Sequence, residues 1–443
     1  MAMSSATAAS AVASPLSLRA ESPLANRHNT PSPSPSSSSM VTLTTNMASR
    51  KRAQSMISTH SLVNNRLSKI EEDEVKNNAQ WELMEWKGSS ETLADQNRLH
   101  EELIIADFFN IKVPRALAFR GATVEDVTPQ QCIALAQRIM GPHEIRLMSN
   151  QGSNSYTLVC PSTAKIIQFR LRELNIPILD LARSIYGKLV PEVTYYPRFV
   201  LPTYISDFLP GNPHILQPFP AGRFPLARER ATVTGLAAFI AKATHFPQPL
   251  YACNPDSWTL TARDRLLRLR QNESLQEIDL RFYKKADDLL SRLHLLDKLP
   301  PVLTHHDFAQ INILVADDGR VTGVIDFDAA GVEAFGMCIF GLYECFLGNM
   351  VDGVWSFYNQ QAPGYPGQTV REVLEQTFWD TIWATMSKEL GSRREDVEEA
   401  LQIAVDVGII NRYFVEGMLD YVDLDKPVHR MSLEYSRGIL LGR

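Results

Sequence analysis

One stretch limits what this chain can fold into more than any other: "THHDFAQINILVADDGRVTGVIDFD", residues 304–328. Two short apolar runs, INILV at 311–315 and VTGVIDF at 321–327, flank ADDGR, whose Asp-Gly pair is the turn signal of a β-hairpin. The surrounding sequence has a different period. Apolar residues recur at helical spacing over 227–249, 262–296, 368–388, 393–408 and 409–421. The second half is therefore expected to be largely helical, with this hairpin as its one exception.

The hairpin has a chemical consequence. Asn312 stands at the start of the first strand and Asp326 near the end of the second, so antiparallel pairing sets them side by side. Asp307 lies in the loop that enters the same end. A carboxylate with a carboxamide suits a hard cation such as magnesium, which keeps waters and binds substrate phosphates. The remaining carboxylate, Asp307, can accept a proton from a hydroxyl nucleophile. The Asp-to-Asn spacing equals that of the loop H-R-D-x-x-x-x-N, after which a later Asp holds the metal. His305, His306 and Asp307 also admit a metal-dependent hydrolase. Adjacent side chains on a strand point opposite ways and rarely share one ion, and no second His/Asp pair of metal-binding type stands out.

Further upstream, residues 145–170 read as three strands, 145–148, 155–160 and 164–170. SNQGSNS joins the first two. Small residues there free backbone N–H groups to face an anion, although the stretch by itself reads first as an ordinary hairpin turn. In KIIQFR, alternation puts Gln168 and Arg170 on one face and Ile167 and Phe169 on the other. Arg170 could hold a phosphate near that turn or be a solvated edge residue. Residues 176–193 read as a helix followed by a short strand, and 201–213 as a strand running into a loop. TPQQCIALAQRIMG at 128–141 has a complete helix punctuation: Thr128 to cap, Pro129 first, Gly141 after the end. Helical spacing at 97–110 predicts another helix, ended by Pro114.

Residues 1–66 are rich in Ser, Ala, Thr and Pro, with too little apolar surface to offset the entropy of ordering. They read as a disordered tail. Their arginines and near-absence of acids also suit a mitochondrial transit peptide, against a cytoplasmic location as the first expectation. RKRAQS at 50–55 could be a kinase site or a nuclear signal. Seven of the 44 basic groups but only one of the 50 acidic groups fall in residues 1–70, so the remainder is net acidic. That balance argues against broad nucleic-acid binding. Five widely spaced cysteines without a C-x-x-C pair argue against a disulfide framework or structural zinc. No apolar run is long enough to cross a bilayer. The nearest, 335–350, is broken by Glu344 and reads as a buried helix.

HHDFAQIN followed by GVIDFD resembles the aminoglycoside phosphotransferase/choline kinase family, and the wording around 324–344 looks most like its fungal members. GSNSYTLV at 152–159 resembles the family's nucleotide-loop strand, KIIQFR the strand with its phosphate-holding cation, SDFLPG at 206–211 the hinge between lobes, and LAAFIAKATH at 236–245 the helix after it. The resemblance implies an α+β, two-lobed, protein-kinase-like fold: a small antiparallel-sheet lobe with a helix, and a larger mainly helical lobe. Its boundaries would be a tail at 1–66, a helical extension at 67–127, the nucleotide lobe at 128–207 and the catalytic lobe at 208–443. It implies ATP between the lobes, with Gly152, Ser153 and Asn154 over the phosphates, Arg170 holding them, and Ser206 and Asp207 at the hinge. Asp307 would be the base, Asn312 and Asp326 the magnesium ligands, and His305 the support of the loop; Asp328 would position the metal site or bind substrate. Three departures stand out. His306 replaces the usual glycine before the Asp, Arg170 replaces the commoner lysine, and no Asp heads the helix after the metal motif. Asp180 and Glu173 are the candidate acidic partners of Arg170. The leading expectation is an ATP-dependent phosphotransferase acting on a hydroxyl of a small molecule. A nucleotide-binding scaffold without activity is the other. The acceptor and the oligomeric state are not readable.

Overall fold

The computed structural model describes residues 101–121, 127–149, 151–217, 219, 224–249 and 254–443. The tail at 1–66, the RKRAQS stretch, most of the extension at 67–127, Asn150 and Cys253 lie outside the described residues. Residues 101–107 are helical, as their spacing predicts, but the helix does not stop before Pro114. The chain widens into a π-turn, Phe108–Lys112, and runs on as α1, Val113–Phe119, with Pro114 in its first turn. A first turn needs no N–H from its proline, so this residue starts a helix rather than ending one.

Helix α2, Pro129–Met140, has the punctuation its sequence announces. Thr128 Oγ1 accepts from Gln131 N at 3.3 Å and Gln131 Oε1 accepts from Thr128 N at 2.9 Å. Gly141 then ends it at φ +73°. Both helices cover a five-stranded antiparallel sheet. Its strands are β1, Arg146–Leu147; β2, Ser155–Cys160; β3, Lys165–Arg170; β4, Val193–Tyr196; and β5, Thr203–Asp207. Their spatial order is β1-β2-β3-β5-β4. Ile167 and Phe169 are fully buried while Gln168 and Arg170 are only partly so, the alternation expected of this strand. Phe108, Phe109, Leu117, Leu135, Tyr156, Leu158, Ile167 and Phe169 form the core between sheet and helices. Each such buried side chain stabilises by about 1.5–3 kcal/mol relative to exposure. Helix α3, Ile176–Tyr186, links β3 to β4.

A larger helical portion follows. It contains α4, Leu226–Lys242; α5, Trp258–Gln271; α6, Glu273–Ile278; and α7, Leu280–Arg292. The single long pattern at 262–296 thus breaks twice, at Asn272 and Asp279. Both are good N-cap residues, and each side chain accepts from the helix that follows it. Asn272 also donates to Met418 O and Leu419 O at 2.9 and 3.1 Å. The portion closes with α8, Phe340–Cys345; α9, Val370–Thr385; α10, Lys388–Gly391; α11, Arg394–Tyr413; α12, Glu416–Asp420; and α13, Pro427–Leu440.

Strands interrupt this portion more often than the periodicity predicts. Strand β6, Asn212–Pro213, joins the edge of the hairpin β8, Ile313–Val315, and β9, Val321–Val324. Strands β7, Pro301–Thr304, and β10, Gly331–Ala334, pair with each other on either side of that hairpin in sequence. The apolar run at 335–350 is only partly helix, because Gly348–Val351, here β11, turns back on β12, Val354–Phe357. These strands are four residues or fewer, too short to show a period of their own. The architecture is α+β, a five-stranded antiparallel sheet with a large helical portion. Among the described residues no helix is long and apolar enough to cross a membrane.

Candidate active site

Asp307 sits in the loop that leaves β7. Its neighbour His305 holds that loop to the residue that follows the second strand of the hairpin. His305 Nε2 donates to Ile325 O at 2.9 Å and Nδ1 accepts from Asp307 N at 3.1 Å. The two contacts fix one neutral tautomer, since a carbonyl only accepts and an amide N–H only donates. Burial keeps the imidazole below its usual pKa, in the same sense. The ring meets Phe327 edge-on at 4.6 Å and Phe308 at 5.8 Å. Phe308 in turn stacks on Phe239 of α4, which stacks on Tyr186 of α3 at 3.9 Å. An aromatic cluster from four segments therefore anchors both ends of the hairpin.

Asn312 lies in a 3-10 turn, Gln310–Asn312, just before β8 rather than within it. Its Nδ2 donates to Asp307 Oδ2 and to Asp307 O, both at 2.9 Å. That turns its amide oxygen away from Asp307. Ile325 N donates to Asn312 O at 2.9 Å, which brings Asp326 beside Asn312. Asp326 has φ +64°, a conformation uncommon for a residue other than glycine, and its side chain is exposed. Such strain persists where surrounding structure over-determines it.

The two carboxyl groups differ. Burial alone would raise Asp307, but the Arg412 guanidinium and the hydrogen bond from Asn312 outweigh it and hold the carboxyl below the usual carboxylate range. Asp326, although it reaches solvent, is held above that range, first by the desolvation that the surrounding protein imposes and then by the negative charge of Asp307, against the pull of Arg170. Arg412 is a residue that the motif gives no hint of. Its Nη1 lies 2.8 Å from Asp307 Oδ1.

The remaining expected positions are distributed as follows. Gly152, Ser153 and Asn154 form the loop that enters β2, and the pairing of Ser155 with Arg170 sets this loop beside the end of β3. Gln151, to which no role was assigned, staples the loop: its side chain donates to Met148 O and Thr157 O and accepts from Thr157 N at 2.8 Å. Arg170 ion-pairs with Asp328, the second acid of the IDFD motif; the candidates read from the sequence, Asp180 and Glu173, are exposed. Ser206 is buried within β5, between Ile166 and Val193. Asp207 lies at the other end of β3 from Arg170, with its carboxylate held by Lys165 at 2.8 Å.

His306, in the place of the usual glycine, turns aside from these oxygens. Its ring stacks on Trp258, and Nε2 lies 3.1 Å from Glu333 Oε1. Glu333 is fully buried and accepts from Trp258 N and Thr259 N, the first amides of α5. Gly331 leaves room for the ring, since a Cβ there would come within 3.1 Å of it. Among the described residues no group of three or more His, Cys, Asp and Glu side chains could hold a metal ion.

Residues 177–336 match the model of the phosphotransferase enzyme family. The match takes in Asp307, Asn312 and Asp326 and leaves out Gly152–Asn154 and Arg170. No curated protein matches the chain. Among solved structures, the ADP-bound aminoglycoside phosphotransferase APH(2'')-Ib aligns with a TM-score of 0.44 at 14% identity, over 70% of this chain and 98% of its own. A choline kinase from Cryptosporidium parvum Iowa II aligns with a TM-score of 0.41 at 11% identity, over 70% and 94%. An ethanolamine kinase from Plasmodium vivax aligns with a TM-score of 0.40 at 14% identity, over 70% and 88%. The stretch matched by the family model, from α3 to the turn before α8, is in keeping with the resemblance read from the motifs.

Proposed function

We propose that this protein transfers the γ-phosphoryl group of ATP to a hydroxyl of a small molecule, with Asp307 as the base and Asn312 and Asp326 as the holders of magnesium. The observation that supports the reading is that Asn312 Nδ2 donates to Asp307 Oδ2 while Ile325 N, from the residue before Asp326, donates to Asn312 O, both at 2.9 Å. In this reading residues 128–207 form the nucleotide lobe and 208–443 the catalytic lobe. Gly152, Ser153 and Asn154 offer backbone amides to the phosphates beside Arg170, and Ser206 and Asp207 lie at the hinge.

The chain's own groups fit magnesium. Asn312 presents an amide oxygen directed away from Asp307, and Asp326 presents a carboxylate whose charge its surroundings disfavour, so that a cation would relieve it. When bound, the ion would neutralise charge on the transferring phosphoryl group. Asp307 accepts the proton of the acceptor hydroxyl as the hydroxyl oxygen attacks the γ-phosphorus and the bond to the β,γ-bridging oxygen breaks, releasing ADP. Asn312 and His305 hold Asp307 in place meanwhile. Little other chemistry is needed, since phosphoryl transfer depends mainly on positioning and charge.

A nucleotide-binding scaffold is the second reading. One observation favours it: Asp328, the second acid of the IDFD motif, is taken up in an ion pair with Arg170. One assay separates the two. Magnesium-dependent ATP turnover is measured over a panel of hydroxyl compounds, for wild type and Asp307→Ala. Turnover that Asp307→Ala abolishes supports transfer. Nucleotide binding without turnover on any compound supports the scaffold, and turnover that survives the substitution removes Asp307 from the mechanism.

A further inference from the structure

Arg412 lies near the end of α11, outside residues 177–336 and outside every motif of the sequence. Its guanidinium bridges two carboxylates. Nη1 is 2.8 Å from Asp307 Oδ1, while Nε and Nη2 donate to Glu344 Oε2 and Oε1 at 3.2 and 3.5 Å. Glu344 belongs to α8, and its side chain is only 8% exposed, against 28% for Arg412 and 37% for Asp307. The guanidinium also lies over the ring of Phe340, 5.7 Å from its centroid.

The arrangement is two-sided. Asp307 Oδ2 is held by Asn312 from the hairpin, and Oδ1 is held by Arg412 from α11. A carboxylate held at one oxygen can still rotate about its last bond. Held at both, its plane is set. Arginine suits this work better than lysine, because its planar fork can serve two carboxylates in fixed directions. Glu344 stops the fork from swinging. The exposure falls along the series from Asp307 to Arg412 to Glu344, as it would where a buried group aligns a bridge and the bridge aligns a group that must meet substrate.

We infer that Arg412 is a positioning residue for phosphoryl transfer: from α11 it sets the plane of the Asp307 carboxylate, and Glu344 sets Arg412 in turn. The inference rests on the reading of Asp307 as the base. Arg412 need not touch the acceptor or the nucleotide.

The test uses the full chain as wild type, Arg412→Ala, Arg412→Gln, Arg412→Lys and Glu344→Gln. For each, kcat, KM for ATP and thermal midpoint are measured with magnesium chloride and whichever hydroxyl compound the wild type phosphorylates. Arg412→Ala should lower kcat by about a hundredfold while KM for ATP stays at the wild-type value, since misplacing a reacting group costs on that order. Arg412→Lys should recover part of the rate, and guanidinium ion added to Arg412→Ala should recover part as well. If Arg412→Ala does not fold, Arg412→Gln takes its place. Wild-type kcat in a folded Ala or Gln variant overturns the inference. So does a loss of rate that neither lysine nor guanidinium relieves.

Should the wild type turn over no compound at all, the proposed activity falls and the orientation is judged alone. Crystals of wild type and Arg412→Gln then decide it. A rotated Asp307 carboxylate in the variant upholds the role of Arg412, and an unchanged one removes it.

Discussion

The imidazole of His306 lies flat on the indole of Trp258, with 4.1 Å between ring centroids and 10° between planes. A bulky residue thus precedes Asp307 without crowding it, because the side chain is taken up by α5 and Glu333. His306→Gly would restore the residue usual in such loops and lose the stack, while freeing the backbone. We expect it to cost about 1–3 kcal/mol of stability, from the aromatic contact and the glycine's entropy together. The midpoint of urea unfolding measures this, and a midpoint equal to wild type would show that the stack holds nothing.

Glu333 ties the same loop to the first amides of α5. Burial would raise its carboxyl, but His306 and the Thr259 donors hold it below its ordinary value. A lowered carboxyl stabilises the fold fully above the unfolded-state value and loses that contribution as pH falls through the folded value. Wild-type stability should therefore decline on acidification from the ordinary glutamate range downward. Glu333→Gln should be about 1–2 kcal/mol less stable at neutral pH, with a shallower decline in acid. Thermal midpoints across pH 3–7 (roughly the span over which carboxylates and histidine titrate) would show both effects. Parallel curves for the two proteins would remove Glu333 as the cause.

In the proposed function Asp326 would hold magnesium. Asp326→Asn should weaken binding of ATP in the presence of magnesium by roughly tenfold or more, as loss of metal support usually does. Binding of ATP in the presence of a chelator should hardly change. Calorimetric titrations under both conditions make the comparison, and an equal loss in the two would point to a general disturbance of the loop.

Gly211 ends the segment between the sheet and the helical portion. It has φ +98°, and a Cβ there would meet Thr322 Oγ1 at 2.3 Å and Val315 O at 2.8 Å. Both partners belong to the hairpin that carries Asn312 and Asp326. Gly211→Ala should destabilise by about 2–4 kcal/mol, through backbone strain and overpacking together. Denaturant unfolding tests this, and a loss below about 0.5 kcal/mol, the usual limit for a harmless surface change, would show that the segment yields easily.

Much of this site was legible because it is local. Asp307, Asn312 and Asp326 fall within one loop and one hairpin, and a turn signal with two β runs suffices to bring them together. Helix α2 was legible for the same reason, its caps lying within its own sequence. What escaped was held by distant partners. Arg170 meets Asp328 across 158 residues, a pairing that nothing near it in sequence announces. Strands β7 and β10 are defined by each other and carry no period. Pro114 was read as a stop although its meaning depends on the π-turn before it. Arg412 has no signature, since an arginine late in an amphipathic helix looks like any solvated residue until its neighbours are known.

The place of Arg412 on α11 has a consequence for how the protein is made. A ribosome releases the loop around Asp307 well before it releases the helix that steadies it. A nascent chain, or one clipped by a protease ahead of Arg412, carries every recognisable letter of the family's motif while Asp307 Oδ1 still lacks its cation. In this protein the motif is written early and the cation beside its Asp arrives late.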